Sequence, residues 1–195
     1  MTSFRPARTL LGLALAVPAL ALLGSAPVQA STKTVVVDNM AFNPSAVTVT
    51  LGNSVTWSFK ETHTTTSNQG FWDSGDKNAG QSFVRTFSDA GTFAYHCSIH
   101  PEMHGTVRVP LKFAGTAAQG YALRWSSRTS TPSTVKFDIQ VKRVGTTSWS
   151  GWRTATASRT GTFNPSGAHS YYLRVRTHLG SEVSGWSPTV TVKIT

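Results

Sequence analysis

One run of eleven residues constrains this chain more than any other: Tyr95-His96-Cys97-Ser98-Ile99-His100-Pro101-Glu102-Met103-His104-Gly105. It holds the only cysteine, followed at equal spacings of three by His100 and Met103. A thiolate, an imidazole and a thioether in one short loop can converge on one soft metal ion. His63 lies upstream in a polar, Thr-rich segment and supplies a second imidazole. Two His, one Cys and one weak axial Met form the ligand set of a blue copper site. The expected ligands are therefore His63, Cys97, His100 and Met103, around one type 1 copper per chain.

The strand before the loop supports this reading. In Phe93-Ala94-Tyr95-His96-Cys97, alternation puts Phe93, Tyr95 and Cys97 on one face and Ala94 and His96 on the other. The apolar face delivers the sulfur to the interior, while His96 points away and is not expected to be a ligand. Pro101 stiffens the loop and Gly105 ends it. A lone cysteine is more often a buried, inert thiol. The His63, His100 and Met103 pattern is what argues against that here.

The scaffold carries a resemblance. Phe42-Asn43-Pro44, Val47-Thr48-Val49, Gly52, Val55-Thr56-Trp57, His63-Thr64-Thr65-Thr66-Ser67, Phe71-Trp72-Asp73-Ser74-Gly75, Gly80-Gln81-Ser82-Phe83, Phe87 and Gly91-Thr92-Phe93 lead into the loop. Residues Val35 to Val109 resemble the small cupredoxins of the plastocyanin, pseudoazurin and amicyanin group, and the Cys-x-x-His-x-x-Met spacing is most like amicyanin. The resemblance implies a Greek-key sandwich and electron carriage. It also implies that the residue before the cysteine, His96, faces solvent and can serve with the edge of His100 as an electron port. Thr64 stands where that family often has Asn tying the two ligand loops together, so the supporting hydrogen bond is left open. Met40 and Pro44 fit an apolar rim around His100, although core packing suits Met40 equally.

The first thirty residues read as a secretory leader. Arg5 and Arg8 precede the apolar stretch Leu10 to Leu23, and Val28-Gln29-Ala30 is a small-x-small cleavage signal before Ser31. The apolar stretch is short and proline-interrupted for a membrane span. Without an Arg-Arg pair the general secretory route is expected. Export places the protein outside the cytoplasm, in the cell wall, periplasm or medium. One cysteine cannot make an internal disulfide there, and copper ligation uses it without remainder.

Charge is divided unevenly. Residues 31–110 carry five Lys/Arg and six Asp/Glu, a net of −1, whereas residues 111–195 carry eleven and two, a net of +9. Such an asymmetry suggests two domains with different partners. Everything after the leader reads as short strands rich in Val, Thr, Phe and Trp, bounded by Gly, Asn, Asp and Pro. No long stretch has a helical apolar period. The expected fold is all-β, with two β-sandwich domains: 31–110 for copper, 111–120 as a linker or the first strand of the next domain, and 121–195. Few contacts are expected across the boundary.

The second half resembles a fibronectin type III domain, on Trp125, Tyr171-Tyr172-Leu173-Arg174-Val175-Arg176 and Gly185-Trp186-Ser187-Pro188. Trp125 would be its early core tryptophan and Tyr171 its tyrosine corner. Alternation turns Arg174 and Arg176 outward beside Tyr172, as candidate contacts for an anionic partner. For an exported basic domain, wall polymers or glycans fit better than nucleic acid. His169 and His178 read as surface residues.

No acid pair or Ser-His-Asp set has supporting context, and there are too few His for a second copper centre. An enzyme is not expected. Three functions stay open: electron carriage to an unknown redox partner protein; copper storage or delivery without redox exchange; and adhesion through the basic half.

Overall fold

The computed structural model describes residues 31–194. The expected leader, 1–30, lies outside them. Among the described residues no helix is long and apolar enough to cross a membrane.

The N-terminal half contains β1 (Thr32–Asp38), β2 (Ala41–Asn43), β3 (Ala46–Thr48), β4 (Ser54–Phe59), β5 (Thr66–Ser67), β6 (Ser82–Thr86), β7 (Gly91–His96) and β8 (His104–Val109). They form two four-stranded sheets, in the orders β2-β1-β4-β6 and β3-β8-β7-β5. β1 runs parallel to β4, and β3 runs parallel to β8. The period-2 pattern explains the burial. Val55, Trp57 and Phe59 of β4, Phe93 and Tyr95 of β7, and Val107 and Val109 of β8 all point into the sandwich, and every one is buried. Trp57 sits at the centre, with its ring centroid 5.4 Å from that of Tyr95 and 5.8 Å from that of Trp72. Gly105 lies directly against the Tyr95 ring, so any side chain there would occupy the ring's place.

The second half contains β9 (Lys112–Thr116), β10 (Gly120–Arg124), β11 (Val135–Arg143), β12 (Ser150–Thr156), β13 (Thr160–Phe163), β14 (Ser170–Leu179), β15 (Glu182–Val183) and β16 (Val190–Lys193). A three-stranded sheet, β13-β10-β9, faces a sheet of order β12-β11-β14-β15, with β16 also paired to β14. The protein is thus all-β, built of two sandwiches. Residues 112–116 do not form a free linker: they pair along β10, Gly120 to Thr116 through Arg124 to Lys112. Trp125 is buried and donates its indole N–H to the Ser158 carbonyl at 2.6 Å. Tyr171 stacks edge-on against Phe163, at 5.3 Å between centroids. The tyrosine hydroxyl that reaches back to the main chain is that of Tyr121, which donates to the Lys193 carbonyl at 2.7 Å.

Few contacts between the halves were expected, and the structure corrects this. Thr92 of β7 pairs with Gly185 through N–H···O bonds in both directions, each 2.9 Å. The Thr92 hydroxyl donates to the Trp186 carbonyl at 2.7 Å, and the Thr177 hydroxyl donates to the Ala90 carbonyl at 2.7 Å. Ala90 N–H donates to Trp125 O, and Ser127 N–H donates to Ser88 O. The buried apolar residues of both halves form one continuous cluster, from Val35 to Val192. Many of these seam contacts run through backbone groups and hydroxyls, which do not announce a contact in the sequence.

Candidate metal centre

His63, Cys97 and His100 come together with their ligand atoms within 4.8 Å of one another. His63 Nδ1 lies 3.0 Å from His100 Nδ1. Cys97 Sγ lies 3.7 Å from His63 Nδ1 and 3.9 Å from His100 Nδ1. The centre of a triangle with those sides is about 2.1 Å from each corner, close to ordinary metal–nitrogen and metal–sulfur bond lengths. Two nitrogens and one sulfur around a point at bonding distance fit a copper ion, and the soft sulfur favours it over hard cations.

Each ligand is held by its own segment. His63 is fixed by a two-way backbone bridge to Lys77, with N–H···O distances of 3.0 and 2.9 Å. The next residues are pinned to the same neighbouring segment: Thr65 N–H donates to Ser74 Oγ at 2.8 Å, and Ser74 N–H to Thr65 O at 3.1 Å. Cys97 follows directly on β7. Its N–H donates to the Met103 carbonyl at 3.2 Å, while Met103 N–H donates to the His100 carbonyl at 3.0 Å. Cysteine, histidine and methionine therefore sit on one closed loop. Cys97, His63 and Met103 are 0%, 1% and 2% exposed, whereas His100 is half-buried. Only one ligand edge approaches solvent.

Thr64, whose hydrogen bond the sequence left open, does tie the two loops together. Its backbone N–H donates to Cys97 Sγ at 3.3 Å, and its hydroxyl accepts from Ser98 N–H at 2.7 Å. The chain of bonds continues. The Ser98 hydroxyl donates to Thr66 Oγ1 at 2.9 Å, Thr66 donates to Asp73 Oδ1 at 3.0 Å, and Thr64 Oγ1 lies 3.1 Å from Thr66 Oγ1. Because the Thr66 proton goes to Asp73, Thr64 must donate to Thr66, which leaves its oxygen free to accept from Ser98. Donated hydrogen bonds stabilise a thiolate over a thiol.

Sequence reasoning missed Thr66, Ser98 and Asp73 in this network. It also missed Glu61, whose carboxylate lies 3.4 Å from His63 Nε2. A carboxylate behind a ligating imidazole orients the ring. Its position two residues before His63 was the available signal.

His96 turns from the site, as alternation predicts, and its Nδ1 lies 2.7 Å from Asn68 Oδ1. His104 pairs with His96 across β7 and β8 and is exposed. Met40, left between rim and core, is 44% exposed, and Ile99, inside the ligand loop, is 43% exposed. Pro44 is exposed.

Arg174 and Arg176, the expected contacts for an anionic partner, are engaged within the chain. Arg174 gives two hydrogen bonds to Gln140 Oε1, at 3.0 and 2.7 Å, and its guanidinium lies over both Trp149 (4.0 Å) and Trp186 (4.5 Å). Arg176 pairs with Asp138 through Nε (2.9 Å) and Nη2 (2.8 Å) and also lies over Trp186. His178 is engaged as well, with Nε2 2.8 Å from Asp138 Oδ2. Cation–π stacking and the Asp138 carboxylate hold these guanidinium groups on the outer face, where the Arg176 side chain stays 37% exposed. Their partners lie 34 to 40 residues away in sequence, beyond the reach of local alternation. Partial burial raises the Asp138 pKa, but Ala155 N–H, His178 and Arg176 outweigh it and hold the carboxyl below its ordinary value.

The family comparison agrees with the centre. Residues 29–110 match the model of the copper binding proteins of the plastocyanin/azurin family. The N-terminal sandwich is a cupredoxin domain, and its cofactor is copper. Among solved structures, an oxidised methionine-to-leucine variant of amicyanin is similar at 28% identity, covering 40% of this chain and 80% of that one, with a TM-score of 0.38. A reduced Cu(I) form of a proline-to-glycine variant at pH 4 is similar at 29% identity, covering 43% and 86%, with a TM-score of 0.39. No curated protein matches the chain.

Proposed function

We propose that this is an exported electron carrier, in which His63, Cys97 and His100, with Met103 as a weaker fourth ligand, would hold one copper. The observation that carries the proposal is the compact S, N, N triangle, sealed on every side except at His100. Bound copper supplies a one-electron couple between Cu(I) and Cu(II). The protein's part is to keep the ligands still. The Lys77 bridge fixes His63, the Cys97–Met103 backbone bond closes the ligand loop, and the Thr64 hydroxyl joins the two. Small rearrangement between oxidation states follows from such pre-organisation. The half-buried edge of His100, with exposed Ile99 beside it in the loop, is the place for a redox partner to approach. The Arg5 to Ala30 leader supports export, and nothing in the site calls for catalysis.

The purified, copper-loaded protein is expected to show intense visible absorption from thiolate-to-copper charge transfer, a reversible one-electron potential and fast self-exchange. Cys97→Ser abolishes the colour. A protein that binds copper without colour, or that exchanges electrons slowly, supports storage or delivery instead.

We further infer that the basic half holds the carrier to an anionic cell-wall polymer. With Arg174 and Arg176 committed internally, the support moves to the open face of the β13-β10-β9 sheet. There Lys112 and Arg124 lie directly opposite one another, with Arg159 next to Thr160; Arg124 also donates to the Ser126 carbonyl and Arg159 to the Arg128 carbonyl. Two like charges in register repel unless a counter-charge lies over them. Charge reversal at Lys112, Arg124 and Arg159 should abolish salt-sensitive retention on anionic wall polymer while leaving the copper colour unchanged. Unchanged retention would remove this reading.

A further inference from the structure

Where the second half closes over β7, the seam encloses a cavity of about 40 Å³, partly open to solvent. Phe71 and Phe93 wall it from the copper half and Leu179 from the other. At one end stand Arg85, Asp89 and Arg128. The three charges do not balance. Arg128 grips Asp89 with Nε at 3.0 and 2.8 Å from the two carboxylate oxygens and Nη2 at 2.7 Å. Asp89 accepts a further bond from the Ser126 hydroxyl at 2.7 Å. Its acceptor capacity is directed at Arg128 and Ser126, and Arg85 is left over.

Arg85 makes no ion pair among the described residues. Its guanidinium carbon lies 5.1 Å from the Trp72 ring centroid and 5.7 Å from that of Phe87. Its Nε is out of reach of solvent and has no acceptor among the described residues, so an anion in the cavity would meet the guanidinium at its Nη groups. A guanidinium has five N–H donors and accepts nothing, so a sealed donor without a partner bears its full desolvation cost. Burial, and next the neighbouring Arg128, push the Arg85 pKa below its ordinary value, although an arginine in a protein keeps its proton. An aromatic-walled recess holding a cation without an ion pair beside a second cation asks for an anion.

We propose that this seam cavity binds one small monovalent anion of the size of formate, held by Arg85 and bridged toward Arg128. The room available corresponds to about three water positions, at roughly 10–15 Å³ each, and formate has three heavy atoms. A planar carboxylate matches the guanidinium fork. Arg85 belongs to the copper half and Arg128 to the other, so the bound anion fastens the two together.

The test uses the full, reduced, copper-loaded protein, with sodium formate as the probe and sodium benzoate as a size control, at constant ionic strength. The Arg85 side-chain Nε–H resonance, assigned by its loss in Arg85→Lys, should move saturably with formate and stay still with benzoate. Formate should also raise the unfolding midpoint above that in benzoate. That difference should vanish in Arg85→Met, which keeps a long apolar stem on Trp72. If Arg85→Met does not fold, Arg85→Lys serves, because it keeps the charge and loses the fork. A resonance that drifts without saturating, an equal response to benzoate, or an undiminished midpoint difference in both variants would overturn the proposal.

Discussion

Replacing Thr64 by Val tests what the joined ligand loops contribute. Valine keeps the shape, the burial and the backbone N–H that donates to Cys97 Sγ, and removes only the hydroxyl. Lost with it are the acceptor for Ser98 N–H at 2.7 Å and the donor to Thr66 Oγ1. Leaving a buried donor unsatisfied costs about 1–3 kcal/mol. Ser98 is itself exposed, so water can reach part of the gap, and the lower half of that range applies, about 1–2 kcal/mol. For a chain of this size 1 kcal/mol moves the unfolding midpoint by roughly 2–4 °C, which gives an expected loss of about 2–8 °C. Differential scanning calorimetry on the copper-free protein reads the loop tie alone. On the copper-loaded protein, release to a chelator, followed by loss of colour, should quicken by about 5- to 30-fold, the same energy expressed as a ratio. Thr64→Ser restores the hydroxyl and should return both values most of the way. If Thr64→Val melts within 1 °C of the parent and releases copper at the parental rate, the hydroxyl does not hold the loops.

Met103→Leu should keep the colour and raise the reduction potential, because a long axial bond tunes the metal more than it holds it; loss of copper would make Met103 a principal ligand. A fragment of residues 31–110 is expected to melt well below the full chain or to precipitate, since it loses every partner of Ala90, Thr92 and Asp89 in the other half; an equal midpoint would show the seam to be incidental. Asp138 has a depressed folded pKa, so its contribution is complete above the ordinary aspartate value of 3.8 and is lost as pH falls through the lower folded value. Acid unfolding should therefore be shallower in Asp138→Asn than in the parent over that range, and parallel curves would count against the Arg176 and His178 pairings.

The copper centre was legible in the sequence because three of its ligands fall within seven residues and their chemistry is unusual. Cys97, His100 and Met103 announce themselves by type and spacing, and His63 by its polar loop. Alternation placed His96 outside, and the structure agrees. The Thr64 tie was not legible, because a hydroxyl can point several ways and only the meeting of two distant loops selects one. Alternation also put Arg174 and Arg176 on the outer face correctly. It could not foresee that Trp149, Trp186, Gln140 and Asp138 would fold over that face and engage them. Residues 111–120, rich in Gly and Ala, read as a linker or the first strand of the next domain, and Lys112 to Thr116 forms a strand along β10. Composition recorded where one half gives way to the next and carried no information on how closely they are joined.

The Thr92–Gly185 pairing has a consequence for how copies of this protein meet. β5 ends at Ser67, opposite Tyr95, so the first residues of β7 have no neighbour from their own sheet on that side. An uncovered strand edge is a template on which a second chain can add itself. Gly185 occupies that edge at close range: a Cβ there would lie 3.2 Å from the Thr92 carbonyl, a tight contact that the seam would have to loosen slightly to admit. The second half therefore acts as a guard against self-association for the strand that leads into Cys97. A bulky residue at position 185 should reveal itself first as aggregation at high protein concentration, in molecules whose copper site is still intact.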